Sequence, residues 1–209
     1  DGVQSIAIGN FSREALSLYR QTGEVFVDAA GKAKLVQSTL PTLTFGLRFL
    51  DVDFDGYQDL ILANGHIEPE INSVQKEITY QQTSQLFWNS GSGRMVDISE
   101  DSGPFFLEEI VARGLSAGDV DGDGDLDVLM TTNGGRAYLL RNDGPTGKAI
   151  AIKLRGEGGN KRAIGALVSV TSGERTRTQM VRTGSSYLSH SPLELAFGVG
   201  QVERVERVE

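Results

Sequence analysis

The chain has 209 residues, 39% of them hydrophobic and 23% charged, with 20 Lys and Arg against 28 Asp and Glu for a net charge of −8. That sign, with the basic residues scattered along the chain, argues against a nucleic-acid partner, and the lack of cysteine excludes disulfides and thiol catalysis. No run reaches the roughly 18 apolar residues of a membrane-spanning helix.

The chain opens on Asp1-Gly2, followed by Ile6-Ala7-Ile8 and Asn10. The same offsets recur in Asp55-Gly56, Leu60-Ile61-Leu62 and Asn64, so the opening reads as the middle of a repeat. A first residue that is Asp rather than Met suggests a fragment or a processed product. Ser5 stands where Asp59 stands later, which leaves at most a degenerate third site in this unit. The unit closes on Leu18-Tyr19-Arg20-Gln21-Thr22-Gly23. Asn10-Phe11-Ser12 fits an N-glycosylation acceptor, a weak signal by itself.

Two acidic loops of one design follow. They run from Asp51 to Asp59 and, 68 residues on, from Asp119 to Asp127. Asp51, Asp53, Asp55 and Asp59 match Asp119, Asp121, Asp123 and Asp127, with Gly56 and Gly124 between. Two carboxylates about 4 Å apart repel by roughly 4 kcal/mol at an effective dielectric near 20, so such crowding calls for a cation. The spacing lets the carboxylates converge while the glycine turns the chain, and the backbone carbonyl of Tyr57 or Asp125 adds a further oxygen. An all-oxygen set without His or Cys points to Ca²⁺, at two sites. Position 12 is Leu62 or Met130 rather than Glu, so neither loop is an EF-hand. The apolar runs after each loop, Leu60 to Ala63 and Val128 to Met130, read as buried strands.

The surroundings repeat as well. Gly46-Leu47 and Gly114-Leu115 precede the loops, Asn64-Gly65 and Asn133-Gly134 close the strands, and the closing phrase returns at Leu86 to Gly91 and Leu139 to Gly144. Short strands in units of about 55 to 70 residues suit four-stranded propeller blades. Residues 1–147 hold about three, too few to close a ring of about four to eight, so further blades or another subunit are expected to cover the open edges. Between the loops, His66 to Gln85 is a long polar connection, either a partner surface or a blade-edge extension. Phe87, Trp88 and Tyr138 read as packing residues. His66 and His190 read as turn and surface histidines, and Glu68, Glu70, Glu108 and Glu109 as exposed carboxylates without a catalytic pattern.

Gly156 to Asn160 reads as a linker, and no phosphate-cradling context follows it. Alternation over Ala149–Leu154 and Ile164–Val170, and the polar stretch Glu174–Arg182, predict a small antiparallel sheet. A last strand is expected within Val202–Val208. The fold class is therefore all-β: a partial propeller over 1–147, then a small antiparallel module over 148–209.

The phrases Asn160 to Ala166, Val181 to Ser189 and Leu195 to Gly200 resemble the ASPIC/UnbV domain, and Phe45-Gly46 with its Asp loop resembles the FG-GAP or VCBS repeat of integrin alpha propellers. Together they resemble the cartilage acidic protein family. The resemblance implies calcium-binding blades in secreted or surface-exposed proteins, with roles in adhesion or matrix contact. It supplies no catalytic residues. The expectation is a non-enzymatic calcium-binding module, extracellular, periplasmic or at the cell surface, with a protein or glycan partner. Two alternatives are a carbohydrate-binding or carbohydrate-processing propeller and an accessory subunit of a larger assembly.

Overall fold

A computed structural model describes residues 4–144 and 147–209. Asp1-Gly2, half of the first repeat's opening, lies outside the described residues. Strands and helices are numbered in chain order. The first sheet is β1 (Ser5–Ile8), β2 (Ser17–Thr22) and β3 (Val25–Asp28), paired antiparallel in that order. After the one-turn α1 (Val36–Thr39), β4 (Thr44–Leu50) and β5 (Asp59–Asn64) flank the first acidic loop. The second connection holds α2 (Ile71–Val74) and β6 (Gln82–Thr83) before β7 (Gln85–Asn89) and β8 (Met95–Asp97) complete a four-stranded sheet, β4-β5-β7-β8. Then β9 (Glu109–Ile110) pairs with β6, and β10 (Ala112–Gly118), β11 (Asp127–Thr132) and β12 (Tyr138–Leu140) form the third blade sheet around the second acidic loop. The fold is all-β, as the spacing of the strands predicts.

The central sheet shows why the blades stack. Side chains alternate across a strand, and β5 is buried on both faces. Leu60 and Leu62 join Leu16, Leu18, Leu35 and Phe87 on the side of the first blade, whereas Ile61 and Ala63 join Leu115, Val128 and Met130 on the side of the third. The ends of the stack lack this cover. Ile6 and Ile8, at the positions of Leu60 and Leu62, are 46% and 45% exposed where their counterparts are fully buried. Leu139, at the position of Leu86, is 54% exposed.

The long connection 66–85 folds as an edge extension. Gln82 and Thr83 pair with Ile110 and Glu109, and the His66 amide donates to Tyr80 O at 2.9 Å. His66 is not the surface histidine expected from its turn. It is 2% exposed, its Nδ1 accepts from the Glu68 amide at 3.0 Å and its ring meets Phe11 edge-on. Asn10 is also engaged, its amide donating to Ala15 O and Ser17 Oγ.

The C-terminal module has two small sheets. One pairs β13 (Lys148–Ile152) with β16 (Leu195–Gly200); the other orders β15 (Arg175–Met180), β14 (Leu167–Ser172) and β17 (Arg207–Val208). They enclose Val168, Val170, Val181, Leu195 and Phe197. The expected last strand is β17, reduced to two residues. Gly156 to Asn160 is no linker but a turn inside the module, closed by Gly156 N donating to Lys161 O.

The segment between β15 and β16 runs along the free edges of β4 and β10. An open edge exposes backbone donors that invite pairing with another chain. Here serine hydroxyls take them: Leu47 N donates to Ser186 Oγ, Leu115 N to Ser189 Oγ and Ala117 N to Ser191 Oγ, at 3.0, 3.0 and 3.1 Å. Arg48 also donates to Ser191 Oγ at 2.7 Å, and Tyr187 packs edge-on against Phe45. The edges come close where Gly46 approaches Arg113 O, which leaves no room for a Cβ. Ser189→Ala and Ser191→Ala strand the donors of buried Leu115 and Ala117, at a cost of about 1–3 kcal/mol each. Thermal denaturation of the two single variants checks this; melting temperatures equal to the parent's would mean that the hydroxyls do not hold the edges.

Candidate metal centres

Each acidic loop leaves a blade's edge strand and returns into its second strand, so the aspartates are held at both ends by the sheet. Five hydrogen bonds recur at equivalent positions. Val52 N and Asn89 N donate to the two oxygens of Asp59, as Val120 N and Asn142 N do to those of Asp127, all within 2.8–3.0 Å. Gly56 N and Gly124 N donate to Asp51 Oδ2 and Asp119 Oδ2. Tyr57 N and Asp125 N donate to Asp55 Oδ1 and Asp123 Oδ1, and Asp55 N and Asp123 N donate to Asp53 Oδ1 and Asp121 Oδ1. The glycines adopt the left-handed conformation that the turn needs, with φ of 88° and 98°.

Ligand oxygens of Asp51, Asp53 and Asp59 lie within 4.8 Å of one another, and so do those of Asp119, Asp121 and Asp127. These two triads could hold a metal ion. Asp55 and Asp123 stand outside the triads and use an oxygen to fasten the turn. Tyr57 and Asp125 occupy position 7, where a backbone carbonyl was expected to contribute. Asp125 also has a buried side chain whose Oδ1 has no hydrogen-bond partner among the described residues, a feature that the spacing alone does not reveal. Burial, then the neighbouring Asp123 carboxylate, push the Asp125 carboxyl up.

The two centres differ in cover. Asp51 is 3% and Asp59 0% exposed, because the C-terminal module closes over the first loop. Gly200 N donates to Phe54 O at 2.8 Å, Gly147 N to Asp53 O at 2.9 Å and Arg177 Nε to Gly56 O at 3.2 Å. A Cβ on Gly198 would collide with Asp51 Oδ2. Trp88, read from the sequence as packing, donates its indole N–H to Asp53 Oδ2 at 2.9 Å. The second loop has Arg141 at that repeat position, 3.7 Å from Asp121, and keeps Asp119 and Asp121 exposed.

The electrostatics of the covered site test whether a cation fits. Burial, then Asp55 and Asp59, push the Asp51 carboxyl up to about 7, and burial does the same to Asp59 despite its two backbone donors. Asp51 Oδ1 is buried without a hydrogen-bond partner among the described residues. A buried carboxylate in that state is costly unless a charge compensates it, and the donor set is all oxygen, so the residues fit a hard divalent ion.

The histidines and glutamates outside the loops, read from the sequence as carrying no site, do not converge on one among the described residues. His190 is exposed, and neither histidine joins a metal-ligating group among the described residues. Glu68, Glu70 and Glu109 are exposed, and Glu108 bonds Tyr138 and pairs with Arg136 at the surface.

Fold and site together define an all-β repeat protein whose blades carry acidic loops. Comparison with family profiles agrees: residues 69–130 match the FG-GAP-like repeat and residues 156–209 match ASPIC and UnbV. The chain thus joins an FG-GAP-like repeat to an ASPIC and UnbV domain. The first match includes the loop at Asp119–Asp127, while the loop at Asp51–Asp59 is tied to it by the internal repeat. No curated protein matches the chain.

The raised carboxyls give the metal-free protein a characteristic pH dependence. Their folded-state values lie above the unfolded one, so folding takes up protons. The associated stability is greatest below the model-peptide value of 3.8 and is lost as pH rises through about 7. In EDTA the protein is expected to melt higher at about pH 5.5 than at about pH 7.5. Asp51→Asn, which keeps that side chain neutral, is expected to raise the metal-free melting temperature at neutral pH and to reduce the gain from added divalent ion. Scanning fluorimetry with and without chelator reads both signs.

Proposed function

We propose that this chain is a calcium-stabilised propeller module that works outside the cell in adhesion or protein-protein contact, without catalysing a reaction. The observation that carries this reading is the pair of equivalent aspartate triads, one of them buried beneath the C-terminal module. Asp51, Asp53 and Asp59 would hold one ion and Asp119, Asp121 and Asp127 the other. Asp55, Asp123 and the backbone carbonyls of Tyr57 and Asp125 are the further oxygen donors. The all-carboxylate set favours calcium over zinc or copper, and the number of protein oxygens exceeds what magnesium usually takes.

A bound cation would supply charge compensation. The chain's residues do the rest. Asp59 and Asp127 tie their loops to neighbouring strands, and the β16 backbone bonds the first loop through Gly200. The first ion would therefore stabilise the junction between blades and module as well as its own loop. An affinity of about 10⁻⁴ to 10⁻³ M, the range of extracellular calcium modules, would fit an extracellular or surface location.

Exposed Ile6, Ile8 and Leu139 favour a second reading, in which further blades or another subunit cover the ends of the stack. Their repeat counterparts are buried between blades, so a surface of the same kind is the natural cover.

Calcium titration by calorimetry is expected to show two sites. Saturation at about a hundredfold over Kd should stabilise the fold by about 2.7 kcal/mol per site, raising Tm by about 5–10 °C. Asp119→Asn should remove one site and leave the other. A chelated protein that melts with the calcium-loaded one would overturn the structural role of the ion.

A further inference from the structure

The acidic balance of the chain is inverted over one short stretch. From Lys148 to Arg162 there are five basic residues, Lys148, Lys153, Arg155, Lys161 and Arg162, against Glu157 alone. A glycine-rich turn separates them along the sequence, and the fold gathers four of them. Lys153, Arg155, Lys161 and Arg162, with Leu154 and Leu193, line a cleft of about 530 Å³.

The cleft is built by the turn that the sequence suggested was a linker. Asn160 Oδ1 accepts from Ile164 N at 3.1 Å and its Nδ2 donates to Ile164 O at 2.9 Å, while Gly156 N donates to Lys161 O at 3.2 Å. A side chain on Gly156 would collide with Asn160 O, so the closure requires glycine there. It lays Lys161 and Arg162 beside Lys153 and Arg155. Leu154 and Leu193 are half-buried against the module's own core, so the apolar part of the lining is held in place. All four basic side chains are exposed, and among the described residues none makes an ion pair or a side-chain hydrogen bond.

We propose that this cleft binds a multiply sulfated sugar chain. The guanidinium forks and ammonium groups of the lining match permanently charged sulfates, and its half-buried leucines take the C–H face of a sugar ring while the hydroxyls stay in water. Single-stranded nucleic acid would call for an aromatic stacking platform, and the lining has none. A lipid surface is met by protruding apolar side chains, whereas these leucines are half-buried against the module's core. An acidic peptide would bring backbone amides onto a lining whose side chains are only cationic or apolar, leaving its carbonyls and amides poorly matched. The cleft shares no residue with either aspartate triad, so the proposal stands or falls apart from the calcium reading.

The test is calorimetric titration of the whole chain with a heparin hexasaccharide at about 50 and 200 mM salt, where a polyanion contact weakens steeply. Two double variants, Arg155→Ala with Arg162→Ala and Lys153→Ala with Lys161→Ala, should each bind about tenfold or more weakly, with a shallower salt dependence. Both should melt with the parent, because the side chains removed are exposed and unpaired. Lys32→Ala with Arg94→Ala, exposed basic residues elsewhere, should bind as the parent does. Binding that is absent at the lower salt, that survives both cleft variants, or that falls equally in the Lys32/Arg94 control overturns the site. Equal affinity for the desulfated hexasaccharide, for hexaglutamate or for an oligothymidylate overturns the ligand class.

Discussion

Carboxylates held together out of water are the constraint on which the architecture turns. Asp51 and Asp59 are buried in a loop that also carries Asp53 and Asp55, and their raised proton affinity measures the cost of that arrangement when nothing compensates it. The loop nonetheless connects the two longest strands of the only complete four-stranded sheet among the described residues. The geometry of that blade and the electrostatics of its loop are therefore one problem. Backbone donors from Val52, Gly56 and Asn89 solve part of it, and the remaining unpartnered oxygen is where a hard cation would act.

The C-terminal module is joined to the blades by two kinds of contact. Over the first loop, β16 approaches so closely that Gly198 and Gly200 present backbone rather than side chains to Asp51 and Phe54. Along the edges of β4 and β10, the serines of the Gly184–Ser191 segment accept from strand amides. A hydroxyl serves well there: it accepts a backbone proton without adding a strand, so it ends the sheet rather than extending it. Two of the three phrases that mark the ASPIC and UnbV resemblance, Val181 to Ser189 and Leu195 to Gly200, thus touch the blades.

Repeat equivalence also gives meaning to exposure. An exposed isoleucine on a protein surface is ordinary. Ile6 and Ile8 differ because the same positions in the next blade are fully buried between sheets. The two loops diverge in a similar way. Position 4 is Phe54 in one and Gly122 in the other, both with positive φ; the buried ring of Phe54 compensates a backbone conformation that a side chain disfavours.

The sequence alone determined what depends on local spacing. The Asp-x-Asp-x-Asp-Gly order, the apolar runs after it and the recurring Asn-Gly turns state the strands, the loops and the all-β class, because alternation and turn chemistry act over a few residues. Tertiary structure decided what depends on distant residues meeting. Trp88 is 35 positions from the Asp53 that it bonds, and Ser186 is 139 from Leu47. The burial of His66 and the cover over Asp51 are of the same kind. No local pattern encodes them, because burial and electrostatic environment belong to the packed chain and not to any stretch of it.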